Sequence, residues 1–187
     1  MNNQQTPPVK VLFVGTYTTN LDHVSGKGRG IYSFFFDPIT GQLSATGNIC
    51  DCVNPSYLSI HPSHRYLYAV NETREYINLP SGTVSSYSID PETYDLTLLN
   101  QKASLGADPC YLSVDNRGHY LFVANYTGGN FAIFPIKDDG SLGDNSEFVQ
   151  HYGFSVNPNR QSAPHAHSIV IEPNNRFAYC ADLGIDK

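Results

Sequence analysis

The sequence predicts an all-β fold, a β-propeller of four-stranded antiparallel blades. Three observations carry this: a motif that recurs at a fixed spacing, copies that read as short strands joined by turns, and no stretch with the 3.6-residue period of a long amphipathic helix. The motif is clearest in Asn54-Pro55-Ser56-Tyr57-Leu58-Ser59-Ile60 followed by Arg65-Tyr66-Leu67-Tyr68-Ala69-Val70-Asn71. It returns as Asp108-Pro109-Cys110-Tyr111-Leu112-Ser113-Val114 followed by His119-Tyr120-Leu121-Phe122-Val123-Ala124-Asn125. A third copy runs from His167-Ser168-Ile169-Val170-Ile171 to Arg176-Phe177-Ala178-Tyr179-Cys180-Ala181-Asp182, and Val11 to Thr18 matches the second half of the motif. The anchors Thr16, Asn71, Asn125 and Asp182 stand 55, 54 and 57 residues apart.

Each copy opens with a hairpin, because two β-rich runs flank a turn such as His61-Pro62-Ser63-His64 or Asp115-Asn116-Arg117-Gly118. A third strand follows in Gly30–Phe36, Thr83–Ile89 and Asn130–Ile136. Clusters of Asp, Pro and Gly then turn the chain into a last run headed by Leu43, Leu96 or Leu142. A β-sandwich explains alternating strands but not a fixed spacing with matching turns. The reading is therefore one partial propeller domain over residues 1–187. Three periods and part of a fourth make an arc of about three and a half blades, whereas propellers usually close with 4 to 8. The chain is accordingly expected to be part of a longer one, or to close a ring with other copies; its oligomeric state is left open.

Eleven Lys and Arg against 17 Asp and Glu give a net charge of -6, so no basic field exists to hold a nucleic-acid backbone. No window approaches the apolar length of a membrane span, and the polar start Met1–Pro8 lacks the features of a secretory leader. A cytoplasmic protein with no membrane partner is the expectation. Cys50, Cys52, Cys110 and Cys180 are then expected as free thiols, and the Cys50-Asp51-Cys52 spacing does not suit a zinc ribbon.

The segment Ala163-Pro164-His165-Ala166-His167-Ser168 to Asp182-Leu183-Gly184-Ile185-Asp186, with Val14-Gly15-Thr16-Tyr17-Thr18 and Ala124-Asn125-Tyr126-Thr127-Gly128-Gly129, resembles the lactonase family of seven-bladed propellers. That family includes propeller-type 6-phosphogluconolactonases and 3-carboxy-cis,cis-muconate lactonizing enzymes. The resemblance covers nearly the whole chain, which would be the N-terminal half of a member. It implies a site in the central channel, with His167 matching the family's functional histidine at the start of the innermost strand of the fourth blade. His165 is the second candidate. The family's partner residues, an Arg after Gly-Pro in the fifth blade and a Glu beyond it, have no matching positions here.

Opening a lactone needs a base near pH 7 and a donor for the oxyanion, and a neutral imidazole can take a proton and return it to the leaving alkoxide. His165 and His167 alternate along an extended segment, so only one is expected to face the channel. For an anionic substrate the loop cations are Lys27, Arg29, Arg74 and Arg160, of which Arg160 lies nearest the two histidines in sequence. The loop Tyr152–Pro164 is long enough to cover one mouth of the channel. Asn71, Asn125 and Asp182 read as turn-satisfying side chains, whereas Glu72 and Tyr126, just after them, read as ligand contacts. His23, His61, His64 and His119 read as solvated, and Arg65 and Arg176 as pairing with carboxylates or solvent.

Gly26-Lys27-Gly28-Arg29-Gly30 has no helix after it, so it is not read as a phosphate loop, and neither Gly-x-Ser-x-Gly nor His-Glu-x-x-His occurs. The expectation is a hydrolase of a sugar lactone, 6-phosphogluconolactone foremost. It uses His167 or His165 as catalytic base, Arg160, Glu72, Tyr126 and Arg29 as substrate contacts, and no metal or cofactor. A lactonizing cycloisomerase or a non-catalytic binding propeller are the alternatives, since fold alone does not establish activity.

Overall fold

The computed structural model describes residues 10–187, and the N-terminal segment Met1–Pro8 read above for a leader lies outside them. Regular structure among the described residues is strand throughout. The first blade is β1 (Lys10–Gly15), β4 (Gly30–Phe36) and β5 (Leu43–Asp51), with a small hairpin, β2 (Asn20–Leu21) and β3 (Val24–Ser25), inserted after β1. The second blade is β6 (Leu58–Ile60), β7 (Tyr66–Asn71), β8 (Thr83–Ile89) and β9 (Leu96–Ala103), in chain order across the sheet. The third repeats that order with β10 (Pro109–Val114), β11 (Tyr120–Asn125), β12 (Asn130–Pro135) and β13 (Glu147–Gln150). The hairpin of β14 (Ala166–Ile171) and β15 (Ala178–Asp182) gives the inner half of a fourth.

The blades share one register. Leu58 pairs with Ala69, Leu112 with Val123 and Ile169 with Cys180, so the three inner hairpins superimpose residue for residue. Tyr57, Tyr111 and Ser168 thereby fall at equivalent stations: Val70 donates its amide to Tyr57 O, Tyr111 pairs with Ala124, and Ser168 with Ala181. Their blades touch there, Tyr57 and Tyr111 lying with ring centroids 4.2 Å apart.

The core lies between blades because each strand has two faces and each face meets a different neighbour. Strand β7 sends Tyr66, Tyr68 and Val70 to one side, where they join Val84 against Leu112, Leu121, Val123, Phe134 and Leu142 of the third blade. Its alternate residues Leu67 and Ala69, with Tyr87, pack on Ile31 of the first blade. Ala124 of the third blade meets Ala166 and Ile169 of the fourth in the same way. Full burial of a side chain such as Leu67 contributes about 2 kcal/mol.

The outer strand of the third blade begins later than the sequence suggested. Leu142 makes only an isolated bridge to Ile136, and pairing resumes at Glu147. Leu142 is completely buried in the inter-blade core, so packing instead of sheet pairing fixes its position. His61 is likewise not simply solvated. One ring nitrogen lies 3.0 Å from Gly118 O, tying the turn of the second blade to that of the third, and the other lies 2.8 Å from Ser63 Oγ. Gly118 has φ +76°, and a Cβ there would fall 2.1 Å from that ring. Arg65 and Arg176 are exposed, in keeping with the solvent expected around them, and also lie over the adjacent rings of Tyr66 and Phe177, at 5.3 and 5.4 Å.

Asn54 is a node between the first two blades. It is fully buried at φ +41°, a conformation Asn tolerates better than most residues. Its Oδ1 accepts the amides of Thr18 and Thr19 at 2.9 and 3.1 Å, and its Nδ2 donates to Glu72 O at 3.0 Å. Replacing Asn54 by Ala leaves those groups unpartnered, so a loss of about 3 kcal/mol is expected, read as a lower urea midpoint with unchanged slope. A loss below about 1 kcal/mol would show that water replaces the amide contacts without cost.

Candidate active site

The repeated register places two sets of side chains around one cavity. Ser56, Cys110 and His167 each stand two positions before the equivalent pairs Leu58–Ala69, Leu112–Val123 and Ile169–Cys180, at the start of an inner strand. Tyr17, Glu72 and Tyr126 each follow an anchor, Thr16, Asn71 or Asn125, at the end of the neighbouring strand. All six line an open cavity of about 490 Å³, and His23 and Arg160 complete its wall. That volume suits a small polar molecule.

Beneath this wall the anchors do structural work. Asn71 donates to Val53 O at 2.7 Å and accepts from Ser85 Oγ at 2.6 Å, and Asn125 donates to Ser104 O at 2.9 Å. Asp182 accepts the amides of His165 and Gly184 on Oδ1, at 2.7 and 2.8 Å, and lies 2.6 Å from His151 Nδ1 through Oδ2. The residues after the first two of these anchors, Glu72 and Tyr126, are thereby held toward the cavity.

Glu72 is 7% exposed, and its Oε2 accepts the Tyr17 hydroxyl at 2.8 Å. Burial, and then that carboxylate, push the Tyr17 phenol well above its ordinary range, so it stays protonated and donates. Burial and the Glu72 charge also push the Cys110 thiol up to about 12. At neutral pH it is therefore a thiol, with Sγ 3.6 Å from the carbonyl oxygen of His167, and not a nucleophile. Arg160 Nη2 donates to the Tyr126 hydroxyl at 3.4 Å, which leaves the Tyr126 proton free to point into the cavity. No carboxylate lies within 4 Å of the Arg160 guanidinium among the described residues.

The two candidate histidines have different surroundings. His167 lines the cavity, meets the Tyr126 ring edge-on at 5.7 Å, and has no hydrogen-bond partner for its ring nitrogens among the described residues. His165 is held differently: its ring lies parallel to that of Tyr126 at 4.4 Å, and its Nδ1 lies 3.1 Å from Tyr126 O. It is not among the residues lining the cavity. Both therefore touch Tyr126, because the register shifts between Ala166 and Ser168 and strict alternation fails there.

Four expected residues thus converge, namely His167, Arg160, Glu72 and Tyr126, and Arg29 does not. Its guanidinium is held by Asp51 in a two-point contact of 2.9 and 2.8 Å, because Gly30 pairs with Asp51 across β4 and β5. Arg74 is also engaged, with Asp22 at 3.0 Å and Asp108 at 2.9 Å. His23, read as solvated, is exposed, and it also stands in the wall with Nε2 3.8 Å from Glu72 Oε1. Tyr17, Ser56 and Cys110 were not singled out, although carrying the stations of Glu72 and His167 back through the repeat points to all three. Among the described residues no group of three or more His, Cys, Asp or Glu is arranged to hold a metal ion.

Fold and site together define a β-propeller with an open cavity at the inner edges of its blades. The chain belongs to the lactonase family of seven-bladed β-propellers, whose model matches residues 11–187. It is 33% identical over 175 residues to the 6-phosphogluconolactonase of Bacillus subtilis, which covers 94% of this chain and 47% of that protein. The 6-phosphogluconolactonase of Formosa agariphila is 28% identical over the same length, with 94% and 47% covered. Among solved structures, the periplasmic gluconolactonase of Pseudomonas aeruginosa superimposes with a TM-score of 0.83 at 34% identity, over 96% of this chain and 48% of that one. The chain spans about half the length of the relatives it matches.

Proposed function

We propose that the cavity is the hydrolytic site of a sugar lactonase and that 6-phosphogluconolactone is its substrate. The observation that carries this is the convergence, on a fold of this family, of a buried carboxylate with an imidazole that has no hydrogen-bond partner and a guanidinium that has no carboxylate partner among the described residues, around one small-molecule cavity. The relatives named 6-phosphogluconolactonase and gluconolactonase support the substrate class.

In this reading the neutral imidazole of His167 takes a proton from water as it attacks the lactone carbonyl. The Tyr126 hydroxyl donates to the oxyanion that develops, its own oxygen held by Arg160. The imidazolium then returns the proton to the ring oxygen as the carbon–oxygen bond breaks, giving the open-chain acid. Glu72 accepts a substrate hydroxyl, and Arg160, with no carboxylate partner among the described residues, contacts the phosphate.

The test is hydrolysis of 6-phosphoglucono-δ-lactone and glucono-δ-lactone by the product of the complete reading frame, with spontaneous opening subtracted. Turnover supports the reading, and ligand binding without turnover favours a binding propeller. Arg160→Ala is expected to raise KM for the phosphorylated lactone about tenfold or more while changing that for glucono-δ-lactone much less. Equal effects on both would remove Arg160 from phosphate recognition.

A further inference from the structure

His23 reaches the cavity from outside the repeat. It sits with Asp22 at the tip of the β2–β3 hairpin, where Leu21 pairs with Val24. The tip is fastened from two directions. Asp22 accepts Arg74 Nη1 at 3.0 Å, and Arg74 in turn donates to Asp108 at 2.9 Å. At the base of the hairpin, Thr18 and Thr19 give their amides to Asn54. The ring of His23 then rests edge-on to Tyr17 at 5.6 Å.

This posture leaves a notch. Glu72 has its Oε2 occupied by the Tyr17 hydroxyl, while its Oε1 faces His23 Nε2 across 3.8 Å and has no hydrogen-bond donor among the described residues. That separation is too long for a direct hydrogen bond. One ligand oxygen, however, can stand within reach of both, donating its proton to Oε1 and accepting one from Nε2. A hydroxyl does both, whereas a carbonyl oxygen or an ether can only accept and an ammonium can only donate.

We infer that His23 and Glu72 together form a hydroxyl-reading subsite, which makes His23 a specificity-determining residue for polyhydroxylated lactones over unsubstituted ones. The inference deepens the lactonase reading and rests on it. Its physical basis is asymmetric: a lactone lacking the hydroxyl covers Glu72 Oε1 without giving it a donor, so discrimination comes from the penalty as much as from the bond. The other groups facing His23 do not supply this contact, since Asp22 is taken by Arg74 and the Tyr17 hydroxyl by Glu72.

The experiment compares wild type, His23→Ala and His23→Gln of the complete reading frame's product on glucono-δ-lactone and on δ-valerolactone, the latter read as substrate or as competitive inhibitor. His23→Ala is expected to lower kcat/KM for glucono-δ-lactone about tenfold, mainly through KM, and to leave δ-valerolactone unchanged. The amide of His23→Gln, which still donates, recovers part of the loss. A parallel loss on both compounds, or no loss on glucono-δ-lactone, overturns the subsite. Where only 6-phosphoglucono-δ-lactone turns over, the same comparison is made on it; wild type that hydrolyses neither it nor glucono-δ-lactone defeats the lactonase reading itself and takes the inference with it.

Discussion

Replacing His167 by Ala is expected to lower kcat for 6-phosphoglucono-δ-lactone by about 10²–10⁴-fold, with the fold and substrate affinity retained. The magnitude follows from removing a positioned base without replacing it. Cys110 beside it is a thiol at neutral pH, and the ring of His165 packs against Tyr126 instead of the cavity. The same substitution is mild for stability because His167 is exposed and its ring holds no hydrogen bond among the described residues. Burst-free steady-state assays, with circular dichroism and the urea midpoint as folding controls, check both halves. Activity within a few fold of wild type would remove His167 from the chemistry.

The second large effect concerns stability. Asp182 is 4% exposed and is the one charged member of the anchor set Thr16, Asn71, Asn125 and Asp182. Burial alone would raise its carboxyl, but the amides of His165 and Gly184 and the imidazole of His151 offset that and hold it below the ordinary carboxylate range. Asp182→Ala leaves the buried Gly184 amide and the partly buried His165 amide and His151 ring without their carboxylate partner, so a loss of about 3 kcal/mol is expected in urea unfolding. The pH dependence has a definite sign. A depressed folded-state pKa contributes stability that is fully present above the unfolded value, about 3.9, and is lost as pH falls through the folded value. Wild type should therefore lose stability on acidification below about pH 4, and Asp182→Asn should show a flatter profile over that window. Identical profiles would mean that other carboxylates dominate acid unfolding. Because the His165 amide lies on Asp182, the variant also loosens the start of β14 and is expected to reduce turnover through His167.

The repeat was legible because each inner hairpin must present the same faces to the blades on either side, which repeats its alternation of apolar residues. The outer strands were less so. In the third blade Leu142 is claimed by the core between blades, a contact that no local pattern encodes. The site divided along the same line. His167, Glu72 and Tyr126 lie at fixed stations of the period, and Arg160 was reached through its nearness to the histidines. Arg29 was misread because its partner Asp51 lies across a sheet pairing invisible in sequence. His23 was discounted because its hairpin is an insertion outside the period, fastened through the Asp22–Arg74–Asp108 chain and the Asn54 amide, contacts that join residues far apart in sequence.

The central claim is that equivalent stations of successive blades converge on one catalytic cavity, and a crystal structure with bound 6-phosphogluconate tests it most directly. The sugar acid is expected in the cavity lined by Tyr17, Ser56, Glu72, Cys110, Tyr126 and His167. Its carboxylate lies at hydrogen-bond distance from His167 and its phosphate against Arg160. A ligand bound elsewhere, or in this cavity with its carboxylate remote from His167, would contradict the account.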